Sequence, residues 1–276
     1  MNTVRPFINP KTDFAFKKIF GSSQNTDILT SFLNAILYEG ESVIESLSII
    51  PSHQAPRIEG VKDSFLDVKA LLSDGRVVII EMQVLNVLGF KQRVLYNAAK
   101  AYSTQLNVGD DYTMLNPVIA LTITDFEMFE QSDKVISHYG LKEKDTLTDY
   151  TDDIELVFAE LPKFNKQLEE LTDITDKWLF FLKSANELES VPTNMVEPAI
   201  QNAFEVARQS RLTRDEIEVL EQQSRVIHDN RNAVLKGIQD GIQQGLEQGL
   251  EQGREVGKTI VRTKEGELET EKLPRI

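Results

Sequence analysis

A chain of 276 residues, 41% of them apolar, can hold one large or two modest globular domains, and no apolar run approaches a membrane span. The absence of cysteine excludes disulfides, thiolate zinc sites and cysteine nucleophiles; with only His53, His138 and His228, widely scattered, any metal is expected to be held by oxygen, which favours magnesium, manganese or calcium. The net charge of −14 is uneven: residues 1–105 hold 11 Lys+Arg against 10 Asp+Glu, and residues 106–276 hold 19 against 34, so any contact with a polyanion belongs to the first part.

The N-terminus lacks a signal peptide's charged-then-apolar pattern, and a cytoplasmic location is expected. Residues 12–20 read as a short helix ended by Gly21, and Asn25, Thr26 and Asp27 open a second. Its apolar residues Ile28, Leu29, Phe32, Leu33, Ile36 and Leu37 form one stripe at helical spacing. A strand is expected near 43–50.

Residues 65–85 read FLDVKALLSDGRVVIIEMQVL, two strands joined by Ser73, Asp74 and Gly75. A two-residue turn at Asp74-Gly75 would pair Val68 with Glu81 and send Asp67 to the other side. A three-residue loop, with Gly75 in the left-handed region, pairs Leu72 with Arg76 and Asp67 with Glu81, and we adopt that register. It places Leu66, Val68, Ala70 and Leu72 beside Val78, Ile80, Met82 and Val84 on a wholly apolar face. The other face sets Phe65, Asp67, Lys69 and Leu71 against Val77, Ile79, Glu81 and Gln83, apolar near the turn and polar at the open end. Two carboxylates and an amide there can hold a divalent cation beside a phosphodiester. A solvated polar face explains the same pattern. However, the second strand is apolar on both faces up to Ile80, as at the centre of a sheet, and a carboxylate inside such a strand needs a partner or a metal.

Residues 88–106 read as a long helix with Val94, Leu95, Ala98, Ala99, Tyr102 and Leu106 toward the core. Arg93, Tyr96 and Lys100 share another face, available to phosphates or simply solvated. Val118–Thr124 is a continuous apolar run expected to form a buried strand, and 154–160 another, stopped by Pro162. Together these elements give an α/β core over residues 1–165.

A helical extension follows over 166–212, with Trp178, Leu179, Phe180 and Phe181 as packing residues and Thr193 capping a helix through Arg208. Thr213 and Glu216 form a capping box for a long helix over 213–258. Its spacing Ile217, Leu220, Ser224, Ile227, Arg231, Val234, Ile238 is heptad-like, broken by two polar residues. Glycines then recur every fourth residue from Gly237 to Gly257, each of the first four followed by Ile238, Ile242, Leu246 or Leu250. A four-residue step advances about 40° around a helix, so a partner can follow this row only by right-handed supercoiling. Self-association to a homo-oligomer and a flexible low-complexity tail are both open readings. Residues 259–276 are charged and expected to be disordered.

The sequence resembles the Rpn family of recombination-promoting nucleases, transposase-like members of the PD-(D/E)XK nuclease superfamily. The match rests on TDFAFKKIFG at 12–21, Asp67-Val68, Ile80-Glu81-Met82-Gln83, Arg93-Val94-Leu95-Tyr96 and Ala101-Tyr102. It continues in Glu160-Leu161-Pro162-Lys163-Phe164, Asp176-Lys177-Trp178 and the glycine-punctuated tail. The resemblance implies a restriction-endonuclease-like mixed sheet flanked by helices, with a C-terminal helical extension. It implies that Asp67 and Glu81 are catalytic metal ligands with the Met82 carbonyl a third, and that magnesium, or manganese or calcium, serves to cut DNA. Gln83 stands where the superfamily usually has lysine. An amide can orient water but cannot act as a base. Asp13 is a further candidate acid, although a carboxylate in a helix's first turn is favourable by itself. Lys17, Lys18, Arg93, Tyr96 and Lys100 are the candidate DNA contacts. The resulting expectation is a metal-dependent DNA endonuclease in recombination, mobile-element or defence processes, with no membrane partner; the alternative is a catalytically weak or inactive nuclease-fold interaction protein that self-associates through its C-terminal helix.

Overall fold

The computed structural model describes residues 5–54 and 64–270. The chain divides into two units, residues 1–224 and 225–276. In the first, Thr12 accepts from the Ala15 amide to cap α1 (Asp13–Phe20), and Gly21 ends it. Next come α2 (Thr26–Tyr38), β1 (Leu47–Ile49), and a two-stranded ribbon of β2 (His53–Gln54) and β3 (Ser64–Phe65). The central hairpin is β4 (Val68–Leu72) and β5 (Val77–Gln83), followed by α3 (Phe90–Ser103), β6 (Val118–Thr124), β7 (Ile136–Lys142) and β8 (Asp149–Glu160). Helices α4 (Ile174–Ser184) and α5 (Pro198–Val206) precede α6 (Arg214–Thr270).

One six-stranded sheet runs in the order β1-β4-β5-β6-β8-β7. Strands β5, β6 and β8 are parallel neighbours, while β1, β4 and β7 pair antiparallel. Helices α1, α2, α4 and α5 cover one face, burying Phe16, Phe32, Trp178 and Phe204 with Val68, Val78, Ile80, Leu121 and Val157. Helix α3 covers the other through Ala98 and Ala101 on Val77, Ile79, Val118 and Ala120. Residues buried on both faces explain why β5 and β6 are nearly unbroken apolar runs.

The hairpin adopts the expected register from Val68 to Leu72, and the ladder stops one residue short of the expected Asp67–Glu81 pair. Val68 pairs with Ile80 and Ala70 with Val78, the Leu72 amide donates to the Arg76 carbonyl, and Gly75 has φ +94°. One residue is misplaced by simple alternation: Leu66 packs with Val77 and Ile79, not with Val68. The strand bends at Leu66–Asp67, where the Leu66 amide turns to the Ser52 carbonyl. The bend carries Leu66 across the sheet and separates β3 from β4.

Four other expectations change. Helix α3 starts after Gly89, whose φ is +78°, leaving Leu88 in a loop. Leu95 and Ala99 face solvent, while Phe90, Val94, Asn97, Ala98 and Ala101 face inward. The polar strand β7 was not expected; its alternation is hidden by His138, Tyr139 and Gly140, and β8 begins five residues earlier than expected to pair with it. Helix α5 begins at Pro198, which supplies a ready-made first-turn φ, rather than after Thr193. Helix α6 continues through Thr270, beyond the glycine repeat; residues 271–276 lie outside the described residues.

Candidate active site

The open end of the β4–β5 hairpin gathers side chains from four elements. Asp67 sits at the bend before β4, and its Oδ2 accepts from the Met82 amide at 2.7 Å. Ladder alternation explains this contact. Leu72, Ala70 and Val68 exchange hydrogen bonds with β5, so Met82 directs its N–H toward β4 where β4 has already turned away. The Asp67 carboxylate fills the gap. The Met82 carbonyl opens to the same edge, because both polar groups of a strand residue point the same way there.

Helix α1 supplies the second carboxylate. Asp13 and Lys17, one turn apart, pair at 2.5 Å, and Lys17 Nζ also lies 3.6 Å from Asp67 Oδ1. One ammonium thus serves two carboxylates. Burial pushes the Asp67 carboxyl up to about 7, opposed by the Met82 amide and reinforced by Asp13. Burial also raises Asp13, but hydrogen bonds from Lys17, Asp67 and Gln223 outweigh it and leave this carboxyl below its ordinary value. For Lys17 the same carboxylates outweigh desolvation and raise the ammonium.

Glu81 turns toward α3 instead. Its Oε1 pairs with Arg93 Nη2 at 2.7 Å and its Oε2 accepts from Asn97 Nδ2 at 3.4 Å. The same Arg93 nitrogen donates to Gln83 Oε1 at 2.6 Å, while Gln83 Nε2 donates to the Leu85 carbonyl at 2.7 Å. Desolvation raises the Glu81 carboxyl despite Arg93 and Asn97.

The geometry therefore sorts the sequence candidates. Asp13, Lys17 and Asp67 form one cluster, and Glu81, Gln83 and Arg93 another; the strand pairing ends at Val68 and Ile80, and Asp67 joins β5 through the Met82 amide. Among the described residues, no three acidic or histidine side chains are gathered closely enough to hold a metal ion. Lys18 belongs to neither cluster; it pairs with Glu216 of α6 at 2.5 Å. Lys100 is buried, with its ammonium 5.8 Å from the Tyr96 ring, so the face read as a phosphate contact is partly internal. Tyr96 itself is half exposed. Sequence reasoning missed Asn97, which its position one turn after Arg93 could have indicated, and Gln223, which nothing local in the sequence marks.

What the site can do follows from its charges. It holds two desolvated carboxylates, Asp67 and Glu81, with the half-exposed Asp13 beside the first, and two long cations, Lys17 and Arg93, pair with them. No curated protein and no solved structure matches the chain. A family model described as PD-(D/E)XK nuclease family transposase matches residues 10–237.

Proposed function

Since the chain belongs to the PD-(D/E)XK nuclease family transposases and its fold is the mixed, helix-flanked sheet of that class, it is nuclease-like, and we propose that it is a divalent-cation-dependent DNA endonuclease. The observation that carries this reading is the seating of Asp67 on the Met82 amide, next in sequence to Glu81, at the open hairpin end; both carboxyls are desolvated and each has a cationic side chain beside it. Lys17 acts as a stand-in cation between Asp13 and Asp67, which marks the place as suited to positive charge. The chemistry of the donors, rather than their spacing around Lys17 and Arg93, suits a hard ion: Asp67 and Glu81, the Met82 carbonyl edge, and Asp13 as a further acid. Magnesium is the ion proposed, with manganese and calcium as alternatives. When bound it supplies an acidified water and neutralises charge on the scissile phosphate.

The remaining chemistry belongs to the chain. Gln83, fixed between Arg93 and the Leu85 carbonyl, offers an amide to orient water, and Arg93 and Lys17 are the cations nearest a phosphate at this edge. Lys18 and Tyr96 are the outer contacts proposed for DNA; the buried Lys100 is not one of them. Cutting DNA in recombination or mobile-element transactions, or in defence, in the cytoplasm, is the proposed setting. No helix among the described residues is long and apolar enough to cross a membrane.

The test is cleavage of supercoiled plasmid with magnesium, manganese or calcium by the natural protein and by Glu81→Ala. Metal-dependent nicking that Glu81→Ala abolishes supports the proposal; identical behaviour with every ion removes it. The ion pairs of Lys17 and Arg93 favour one second reading, a nuclease fold that binds DNA without cutting. DNA binding retained alongside absent cleavage selects it. Self-association through the second unit is a further part of this proposal. There Ile238, Ile242, Leu246 and Leu250 are exposed at four-residue spacing.

A further inference from the structure

The first turns of α6 reach the candidate site from 200 residues away in sequence. The capping box is reciprocal: the Thr213 amide donates to Glu216 Oε2 at 2.9 Å, and the Glu216 amide donates to Thr213 Oγ1 at 3.2 Å. It fixes where the helix starts and hence which residues face α1. Glu216, Leu220 and Gln223, four and three apart, share a face. Glu216 pairs with Lys18, Leu220 packs against the core, and Gln223 lies over the first turn of α1.

Gln223 makes two contacts there. Its Oε1 accepts from the Phe14 amide at 2.9 Å, and its Nε2 donates to Asp13 Oδ2 at 3.4 Å. The first-turn amides of a helix have no partner within it. Thr12 satisfies the Ala15 amide, and Gln223 satisfies that of Phe14. A single amide therefore uses its acceptor to pin the helix start and its donor to aim the acid beside that start.

We propose that Gln223 is a positioning residue for Asp13, so that the acid set at the hairpin end is completed by α6 and not by the sheet and α1 alone. The proposal rests on the functional reading above only where it concerns the cation. With Asp13 held by Gln223 on one oxygen and Lys17 on the other, its carboxylate is fixed in the orientation that faces Asp67. Groups that orient a ligating side chain in this way commonly contribute about ten- to a hundredfold to metal affinity.

The experiment compares the full-length natural protein with Gln223→Leu, Gln223→Glu and Glu216→Gln. Glu216→Gln weakens the neighbouring contact of α6 without touching Asp13. Thermal melting establishes that each is folded. Hydrogen exchange reads the Phe14 amide, the Asp13 carboxyl carbon resonance reads its environment, and manganese binding is followed by electron paramagnetic resonance. Gln223→Leu is expected to expose the Phe14 amide, shift the Asp13 resonance and weaken manganese binding roughly tenfold. Gln223→Glu keeps an acceptor for Phe14 but loses the donor to Asp13, so Phe14 protection returns while the Asp13 resonance stays shifted. Glu216→Gln leaves all three at natural values.

An unshifted Asp13 resonance in Gln223→Leu overturns the proposal, as does equal weakening by Glu216→Gln, which would mean general loosening of α6. If the natural protein binds no manganese, the metal-dependent reading fails, while the positioning role still stands or falls on the Asp13 and Phe14 signals. If cleavage is strong and metal binding is indifferent to Gln223→Leu, the nuclease reading survives and the positioning role does not.

Discussion

Arg93 grips Glu81: its Nη2 lies 2.7 Å from Glu81 Oε1, and the same nitrogen reaches Gln83 Oε1 at 2.6 Å. One guanidinium therefore sets the two polar side chains of β5 in a fixed relation. It also gives the Gln83 oxygen a partner that suits glutamine and would not suit lysine. An amide oxygen can accept from Arg93, whereas an ammonium cannot.

Gln83→Lys should accordingly be costly in this chain. It removes an acceptor from Arg93 and adds a like charge beside it, a loss of about 1–2 kcal/mol. Arg93 is 40% exposed at its side chain, so solvent screening keeps the figure at that level. Arg93→Met in the same chain should recover part of the loss. Urea denaturation of the two single variants and the double gives the coupling directly; additive losses would show that the two side chains do not interact.

Asp67 makes folding stability depend on pH in an unusual direction. Its carboxyl is raised to about 7 in the folded protein, chiefly by burial, against an ordinary 3.8. Between about pH 4 and 7 the unfolded chain has released a proton that the folded chain retains, so the unfolded state binds fewer protons and stability falls as pH rises. The contribution present below pH 4 is lost through pH 7, by roughly 2–4 kcal/mol in the absence of bound cation. Asp67→Asn does not titrate and can still accept from Met82. Its urea midpoint should lack this decline and exceed that of the natural protein at pH 8. Parallel profiles would refute the assignment.

Glu160, at the end of β8, is fully buried and accepts from the Met128 and Phe129 amides. Lys163, with a 7% exposed side chain, pairs with it at 2.7 Å and donates to the Phe129 carbonyl at 2.8 Å. The Glu160-Leu161-Pro162-Lys163-Phe164 segment is thus a lock between the sheet and the loop after β6. Glu160→Ala leaves the buried Lys163 charge without a counter-charge and two amides without an acceptor and should cost about 3–5 kcal/mol, visible as a large drop in melting temperature. Glu160→Gln with Lys163→Met removes both charges together and should lose much less.

What could be read from sequence follows from the range of the forces involved. The register around Gly75 was legible because turn geometry and apolar alternation act over a few residues, and both pointed the same way. The Leu66 crossing was not, because it depends on a bend whose hydrogen bond goes to Ser52 in another segment. Asp67, Glu81 and Gln83 could be picked out as polar residues ending apolar strands. That Glu81 turns to α3 while Asp67 turns to α1 is decided by Arg93 and Lys17, long side chains with several equally plausible partners in sequence. Gln223 shows the limit most clearly: it touches Asp13 across 210 positions and carries no local mark.

The second unit offers a test in which helix stability and association should move in opposite directions. Gly237, Gly241, Gly245, Gly249 and Gly253 lie within α6, and a Cβ added at any of them meets nothing within 4 Å in the single chain. Each glycine weakens the helix by about 1 kcal/mol relative to alanine, so Gly241→Ala with Gly245→Ala should raise helical circular dichroism. If copies of this chain pack through the row formed by Ile238, Ile242, Leu246 and Leu250, the neighbouring glycines are where two backbones approach, and added methyl groups hold them apart. Sedimentation equilibrium should then show weaker self-association in the more helical variant. Association that strengthens with helicity would place the contact on another face of the helix, and a natural chain that stays monomeric would remove self-association from the proposal.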